Sequence, residues 1–319
     1  MENTSETSCR ICGHTAIHSL YHPREMMYGS REVFSYFQCA NCDCLQIIEF
    51  PEDMSHHYPS DYYSLVPYKG NKFKGRLAGL KRNIYKSSAL GQGFLSYFFK
   101  IREFECLRKL NLSVNSRILD VGCGNGRNFL YYLAESGFEN LLGVDPYLPA
   151  DIEYPNGLTI KKAEIFDIKG QWDVITYHHV FEHLPNPMEH LMAVYKLLSD
   201  NGACIIRIPT VSSFAWEHYK TNWVQLDAPR HFFLHSMKSM EILSAETNFK
   251  IAEVIFDSTH FQFSGSEKYK MDIPLNAKRK RGISHSLKRK LDKFNYGRKA
   301  RYLNRHMMGD QAIFILKKI

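Results

Sequence analysis

The 319-residue sequence predicts an α/β protein, a mostly parallel sheet with helices on both faces, preceded by a small cysteine-bearing module. Three observations predict it. From Ser116 onward, apolar runs of strand length alternate with helical patterns, the signature of βαβ units. A turn with three glycines at alternate positions comes after the first of those runs, inside RILDVGCGNGRNFLYYL (Arg117 to Leu133). Near the N-terminus, four cysteines form two Cys-x2-Cys pairs, Cys9/Cys12 and Cys39/Cys42.

Taken in order, residues 1–65 hold short aromatic-rich runs (VFSYFQC, CLQIIEF) and both cysteine pairs, and read as a loop-and-strand module. Two such pairs supply four thiolates that can close a tetrahedron around zinc with no position left for water, which is a structural site. Cys44 is a rival ligand, and without metal the four would be reduced thiols. Residues 66–114 carry apolar side chains at three-to-four spacing, broken by Gly91 and Gly93, and predict linker helices that pack on the larger C-terminal part of the chain. In residues 115–319, Asn186 is placed to cap a helix that Pro187 opens and Gly202 to end it. Cys106, Cys123 and Cys204 lie in apolar runs and read as core thiols.

The total charge is +8, and Lys278 to Arg305 concentrates it: twelve Lys/Arg against Asp292 alone, a local +11, so the rest of the chain carries −3. That tract suits a solvated helix face, a phosphate-binding surface or a contact with anionic lipid. MENTSETSCR lacks the layout of a signal peptide, and no run has the length of a membrane span, so the expected location is cytoplasmic, with peripheral membrane contact open through 278–305.

Gly122, Gly124 and Gly126 allow a tight turn and close approach of a ligand to the backbone. A second strand, NLLGVD, ends in Asp145, placed to accept hydrogen bonds from ribose hydroxyls. Two ligands compete for such a crevice, a dinucleotide and S-adenosylmethionine. Asp120 beside the turn favours the second, because a carboxylate repels pyrophosphate and suits an ammonium or sulfonium group. Both aspartates could instead merely cap turns.

ILDVGCGNGRN, GVDP and WDVITYHHVFEHLPNP resemble the class I S-adenosylmethionine-dependent methyltransferases. The resemblance implies a seven-stranded Rossmann-like sheet whose last strand is antiparallel, with ACIIRIP fifth, KIAEVIFD sixth and QAIFILKKI seventh. Between the last two lies a basic insertion, 270–308. It also implies an adenine contact at Ala163 or Glu164, where the family often has an acidic side chain, and His179 is placed with the cofactor residues. CRICG, FQCANCDCLQ and HHYPSDYYS resemble the zinc-binding modules of sugar C-methyltransferases and of polysaccharide-locus methyltransferases, with Asp43 where that family usually has Gly. The zinc would hold together a small substrate-facing lid.

Methyl transfer needs aligned partners and, for a hydroxyl or carbon acceptor, a base. WVQLDAPRHFFLHS resembles the histidine-bearing segment of sugar C-methyltransferases, which marks His231 as the base, with His183 as the second candidate. Either could instead be structural, His231 through Asp227 or a loop carbonyl and His183 by tying down its turn. Glu182 and Arg230 could position acceptor hydroxyls or a diphosphate. The expected acceptor is a small molecule or glycan, a sugar of cell-surface polysaccharide synthesis. The alternative is a nucleic-acid methyltransferase gripping phosphates with the module and the basic tract.

Overall fold

The computed structural model describes residues 4–58, 68, 70, 73, 75–277 and 283–319. The chain opens with strands β1 (Thr4–Ser8), β2 (Thr15–Tyr21), β3 (Tyr36–Gln38) and β4 (Leu45–Ile47), then helices α1 (Ala78–Leu90) and α2 (Phe94–Phe98). The larger part runs β5 (Ile118–Val121), α3 (Leu130–Glu135), β6 (Leu141–Val144), β7 (Ile152–Glu153), β8 (Thr159–Lys161), β9 (Trp172–His178) and α4 (Pro187–Leu197). It continues β10 (Leu198–Pro209), α5 (Phe214–Tyr219), β11 (Phe233–Leu234), α6 (Met237–Glu246), β12 (Phe249–Phe256), α7 (Phe261–Lys270), α8 (Ile283–Arg305) and β13 (Gln311–Lys318).

The main sheet has the order β12-β13-β10-β9-β5-β6-β8-β7. Seven of these strands are the expected Rossmann-like set, and the eighth, β7, is a two-residue antiparallel edge on β8. β5 pairs parallel with β6 and β9, while β13 runs antiparallel to both β10 and β12. All four residues of β5 are buried, as a central strand covered on both faces requires. Strand order reverses at β5 and β9, so a crevice opens at their carboxyl ends, where this fold class places ligands.

The small sheet has the order β1-β2-β3-β4-β11. Its last member belongs to the larger part of the chain: Phe233 pairs with Gln46 and Leu234 with Leu45. One hydrophobic core accordingly runs from Tyr36, Phe37 and Cys42 through Phe233 and Trp216 to Ile206. The expected boundary at 65 falls outside the described residues.

Three local expectations need correction. Gly202 does not end α4; the helix stops at Leu197, and Gly202 lies inside β10, where a Cβ would meet Leu198 Cγ at 2.8 Å. Asn186 precedes Pro187 as expected, but its side chain makes no cap hydrogen bond. The linker helices pack only in part, since Phe94, Tyr97 and Phe98 of the short α2 point to solvent while Phe104 and Leu107 beyond it are buried. In the basic insertion α8 buries Ala300 and Leu303, and Arg289, Lys290, Lys293, Arg298, Arg301 and Arg305 are exposed. Residues 278–281 of that tract lie outside the described residues.

Candidate active site

The glycine turn joins β5 to α3. Gly122, Gly124 and Gly126 have φ of +68°, +53° and +68°, the left-handed region that favours glycine. At Gly122 and Gly126 the missing side chain makes room for the protein itself: a Cβ would meet Val180 Cγ1 at 2.5 Å and Ile160 Cδ1 at 2.8 Å. Asp120, at 3% exposure, accepts a hydrogen bond from the Thr176 hydroxyl at 2.7 Å. Burial, reinforced by Asp145 and opposed by that hydrogen bond, pushes the Asp120 carboxyl up to about 7.

Asp145 at the end of β6 accepts from Gly124 N at 2.9 Å and Tyr147 N at 3.0 Å. It thus caps both turns, and each oxygen retains lone-pair capacity for a ribose hydroxyl. Ala163, half-buried, and Glu164, exposed, come after β8 on the same sheet edge, and the Glu164 N–H is donated to Asp167. His179 comes directly after β9, with φ +57° and a partly exposed ring. Two buried carboxylates on one crevice, with no lysine or arginine on the glycine turn before Arg127, fit a cationic nucleoside better than a pyrophosphate.

A second constellation adjoins the end of β9. Glu182 is fully buried, and neither carboxylate oxygen has a hydrogen-bond partner. Around it lie His179 Nδ1 at 3.6 Å and His231 Nε2 at 3.9 Å, and the His183 and His231 rings stack edge-on with centroids 4.7 Å apart. His183 Nδ1 donates to the Arg230 carbonyl at 2.7 Å, and His231 Nδ1 to the Gln225 carbonyl at 2.7 Å. Burial, with His183 adding to it, pushes the His231 imidazole down to about 4, so at neutral pH it is uncharged. His178, by contrast, is packed at 4.5 Å against the Phe129 ring, away from this group.

Arg230 corrects an expectation. Its side chain is 1% exposed and is committed to Asp227, through two hydrogen bonds, and to Glu25 at 3.1 Å. Glu25 in turn accepts from the backbone N–H groups of Tyr28, Gly29 and Ser30. With Nη1 also donating to the His57 carbonyl at 3.4 Å, this buried guanidinium is committed to the protein itself rather than to an acceptor. The sequence reading missed Glu25 as its partner and also Tyr36, which donates to the His231 carbonyl at 2.8 Å.

Beside His179 and Gln225 is a cleft of about 270 Å³, lined further by Arg102, Thr259, Gln262 and Gln311. Its lining is polar. A larger hollow of about 500 Å³ by Lys86, Leu112 and Ser116 sits before β5, on the opposite edge of the sheet from this chemistry.

The four expected cysteines come together. Their Sγ atoms lie within 4.8 Å of one another, with Cys9–Cys42 at 3.5 Å and Cys12–Cys39 at 3.7 Å. For Zn–S bonds of about 2.3 Å the tetrahedron edge is about 3.8 Å, so the sulfurs already stand at ligating separation. Each pair is a turn in which N–H groups point at the first sulfur, Ile11 and Cys12 at Cys9, Asn41 and Cys42 at Cys39. Gly13 and Asp43 close the two turns at φ +66° and +59°. Cys44 points elsewhere, 4.0 Å from His235 Nδ1.

Residues 96–254 match the family model described as "Methyltransferase domain". This segment is an S-adenosylmethionine-dependent methyltransferase domain. The zebrafish (Danio rerio) EEF1A lysine methyltransferase 2 is 32% identical over 126 residues, 39% of this chain, and the chain spans about half (48%) of that relative's length. Among solved structures, a putative S-adenosylmethionine-dependent methyltransferase from Listeria monocytogenes is 14% identical with a TM-score of 0.42, covering 68% of this chain and 98% of that one. Another, from Archaeoglobus fulgidus, is 20% identical with a TM-score of 0.41, over 71% of this chain and 98% of that one. The methyltransferase domain contains Asp120, Asp145, Glu182, His183 and His231, but neither the cysteine module nor α8. Among the described residues no helix is long and apolar enough to cross a membrane.

Proposed function

We propose that the protein transfers the methyl group of S-adenosylmethionine to a sugar of a cell-surface glycan or its precursor. The observation that carries this reading is the polar cleft beside His179 and Gln225, contiguous with a buried Glu–His cluster at the cofactor edge of the sheet. Bound there, S-adenosylmethionine supplies an electrophilic methyl group. Asp145 and the glycine turn hold its ribose, Asp120 favours its cationic end, and Ala163 and Glu164 border the adenine. Of the side chains alone, His231 is best placed to take the acceptor proton, since its Nδ1 hydrogen is held by Gln225 and its Nε2 lone pair is free. His183 is held in the same way by the Arg230 carbonyl.

The cysteine module, in this reading, binds one structural zinc through Cys9, Cys12, Cys39 and Cys42, as their tetrahedral separation supports. The exposed arginines and lysines of α8 supply a surface for anionic lipid, and flotation with acidic vesicles tests that contact. A protein lysine is the second reading of the acceptor, favoured by the zebrafish relative's name.

The test is calorimetric titration with S-adenosylmethionine and its demethylated product, then radiolabelled methyl transfer to nucleotide sugars, lysine peptides and RNA. Binding that Asp145→Ala weakens at least tenfold, with transfer to a sugar, is expected. Transfer to lysine or RNA alone would replace the acceptor reading, and absence of cofactor binding would remove the enzyme reading.

A further inference from the structure

The cysteines are not alone in converging as ligating side chains. One ligand atom from each of Glu182, His183 and His231 lies within 4.8 Å of the other two. We propose that these three residues bind a second ion, a first-row divalent transition metal, on one face and leave its other positions open to the acceptor.

Backbone carbonyls fix the tautomers of the two rings. A carbonyl can only accept, so those of Arg230 and Gln225, each at 2.7 Å, place a hydrogen on Nδ1 of both histidines. In the neutral form of either ring, Nε2 is then a lone pair. The third member, Glu182, brings two more acceptor oxygens, fully buried, with His179 Nδ1 at 3.6 Å from Oε1 as the nearest donor. Ligand atoms of the buried Glu182 and His231 and the partly buried His183 therefore converge. An uncompensated buried carboxylate is costly, and a cation at the centre satisfies all three groups together.

The surroundings have the form that metal-binding histidines take: the ring nitrogen away from the ion donates to a carbonyl, which fixes both tautomer and orientation. His231 Nε2 and Glu182 Oε1 stand 3.9 Å apart, about 0.5 Å more than the ~3.4 Å between two ligands at ~2.1 Å in a tetrahedral shell, so small side-chain rotations complete the site. Two imidazoles and one carboxylate select zinc, iron, cobalt or manganese over calcium and magnesium, which favour all-oxygen shells.

The use of the ion, though not its binding, rests on the methyl-transfer reading above, and it moves His231 from base to ligand. An acceptor hydroxyl on the ion loses its proton to water more readily. The O–CH3 bond then forms as the sulfonium C–S bond breaks, and that electron pair returns to sulfur.

The test uses the full chain with its cysteines zinc-loaded, titrated with Co2+ and monitored by visible absorption, while near-ultraviolet thiolate charge transfer reports any displacement of zinc. One Co2+ per chain is expected at a site without thiolate bands. Its affinity falls at least tenfold in Glu182→Gln and in His231→Gln. Retained S-adenosylmethionine binding certifies that each variant is folded, and His183→Gln serves where one is not. No thiolate-free Co2+ site in the wild type, or one that these variants leave intact, overturns the proposal. Cobalt bound without methyl transfer to any acceptor upholds the site and removes only the methyl-transfer reading.

Discussion

The Tyr36 hydroxyl, on the third strand of the cysteine module, donates to the backbone carbonyl of His231 at 2.8 Å, and both partners are buried. The contact continues in the backbone: Ile47 N donates to Phe232 O and Phe232 N to Glu182 O. The module thereby holds the segment that presents His231 to Glu182. Tyr36→Phe removes one donor and leaves a buried carbonyl unpaired, a loss of about 1–3 kcal/mol. Urea denaturation should read that loss, and turnover should fall while S-adenosylmethionine affinity, set on the far side of the crevice, stays unchanged. Equal turnover in the two proteins would separate the module from His231.

The cysteines act one layer further out. Cys42 O accepts from Ser236 Oγ, so the second knuckle bears directly on the chain just past His235. Cys39→Ser should lower zinc from one per chain, raise protease sensitivity in the module and cut turnover more than tenfold, because structural zinc contributes to folding. Cofactor affinity should persist, since Asp120 and Asp145 are built on the parallel strands. Full zinc content in this variant would mean that four sulfurs are not needed.

Asp120 makes cofactor binding pH-dependent. Its carboxyl is pushed up to about 7 by burial, and a cationic ligand favours the ionised form, so binding must expel the proton below that pH. Affinity should rise about tenfold between pH 6 and pH 8 and then level, with proton release visible as a buffer-dependent binding enthalpy. The ligand-free protein has the opposite trend from this group: the native state keeps a proton that the unfolded chain has lost, so stability falls as pH rises from about 4 to about 7. Asp120→Asn should flatten both profiles, and a wild-type affinity independent of pH would show that the carboxylate does not meet the cofactor's charge.

Short spacing encodes the parts of the site that were legible in the sequence. Asp120, the glycine turn and Asp145 lie on one strand–turn–helix–strand unit, and Cys-x2-Cys places two sulfurs on one turn, so local geometry is enough to find them. The Tyr36–His231 and Glu25–Arg230 contacts span 195 and 205 residues, and no periodicity announces them. Arg230 looked like an anion-binding side chain because an arginine among histidines has that chemistry. Only the fold shows its charge to be already matched. Gly202 read as a helix stop for a similar reason: the chain passes directly from helix to strand at Leu198, and the glycine serves close packing instead.

Arg230 provides the test of that correction. With Asp227 and Glu25 it forms a buried group of one positive and two negative charges, and Glu25 is further held by three backbone N–H groups. Removing the cation strands the buried Glu25 carboxylate and the partly buried Asp227 carboxylate, which costs about 3–5 kcal/mol when a buried pair is broken. Arg230→Met should therefore destabilise the protein by about that amount, and Glu25→Gln by less, since its backbone donors remain. In the double variant the two losses should fall short of their sum, because the second change removes a charge the first has already left unpaired. An acceptor-binding arginine would behave otherwise: Arg230→Met would raise KM for the acceptor while the unfolding midpoint held, and that pattern would return Arg230 to the active site.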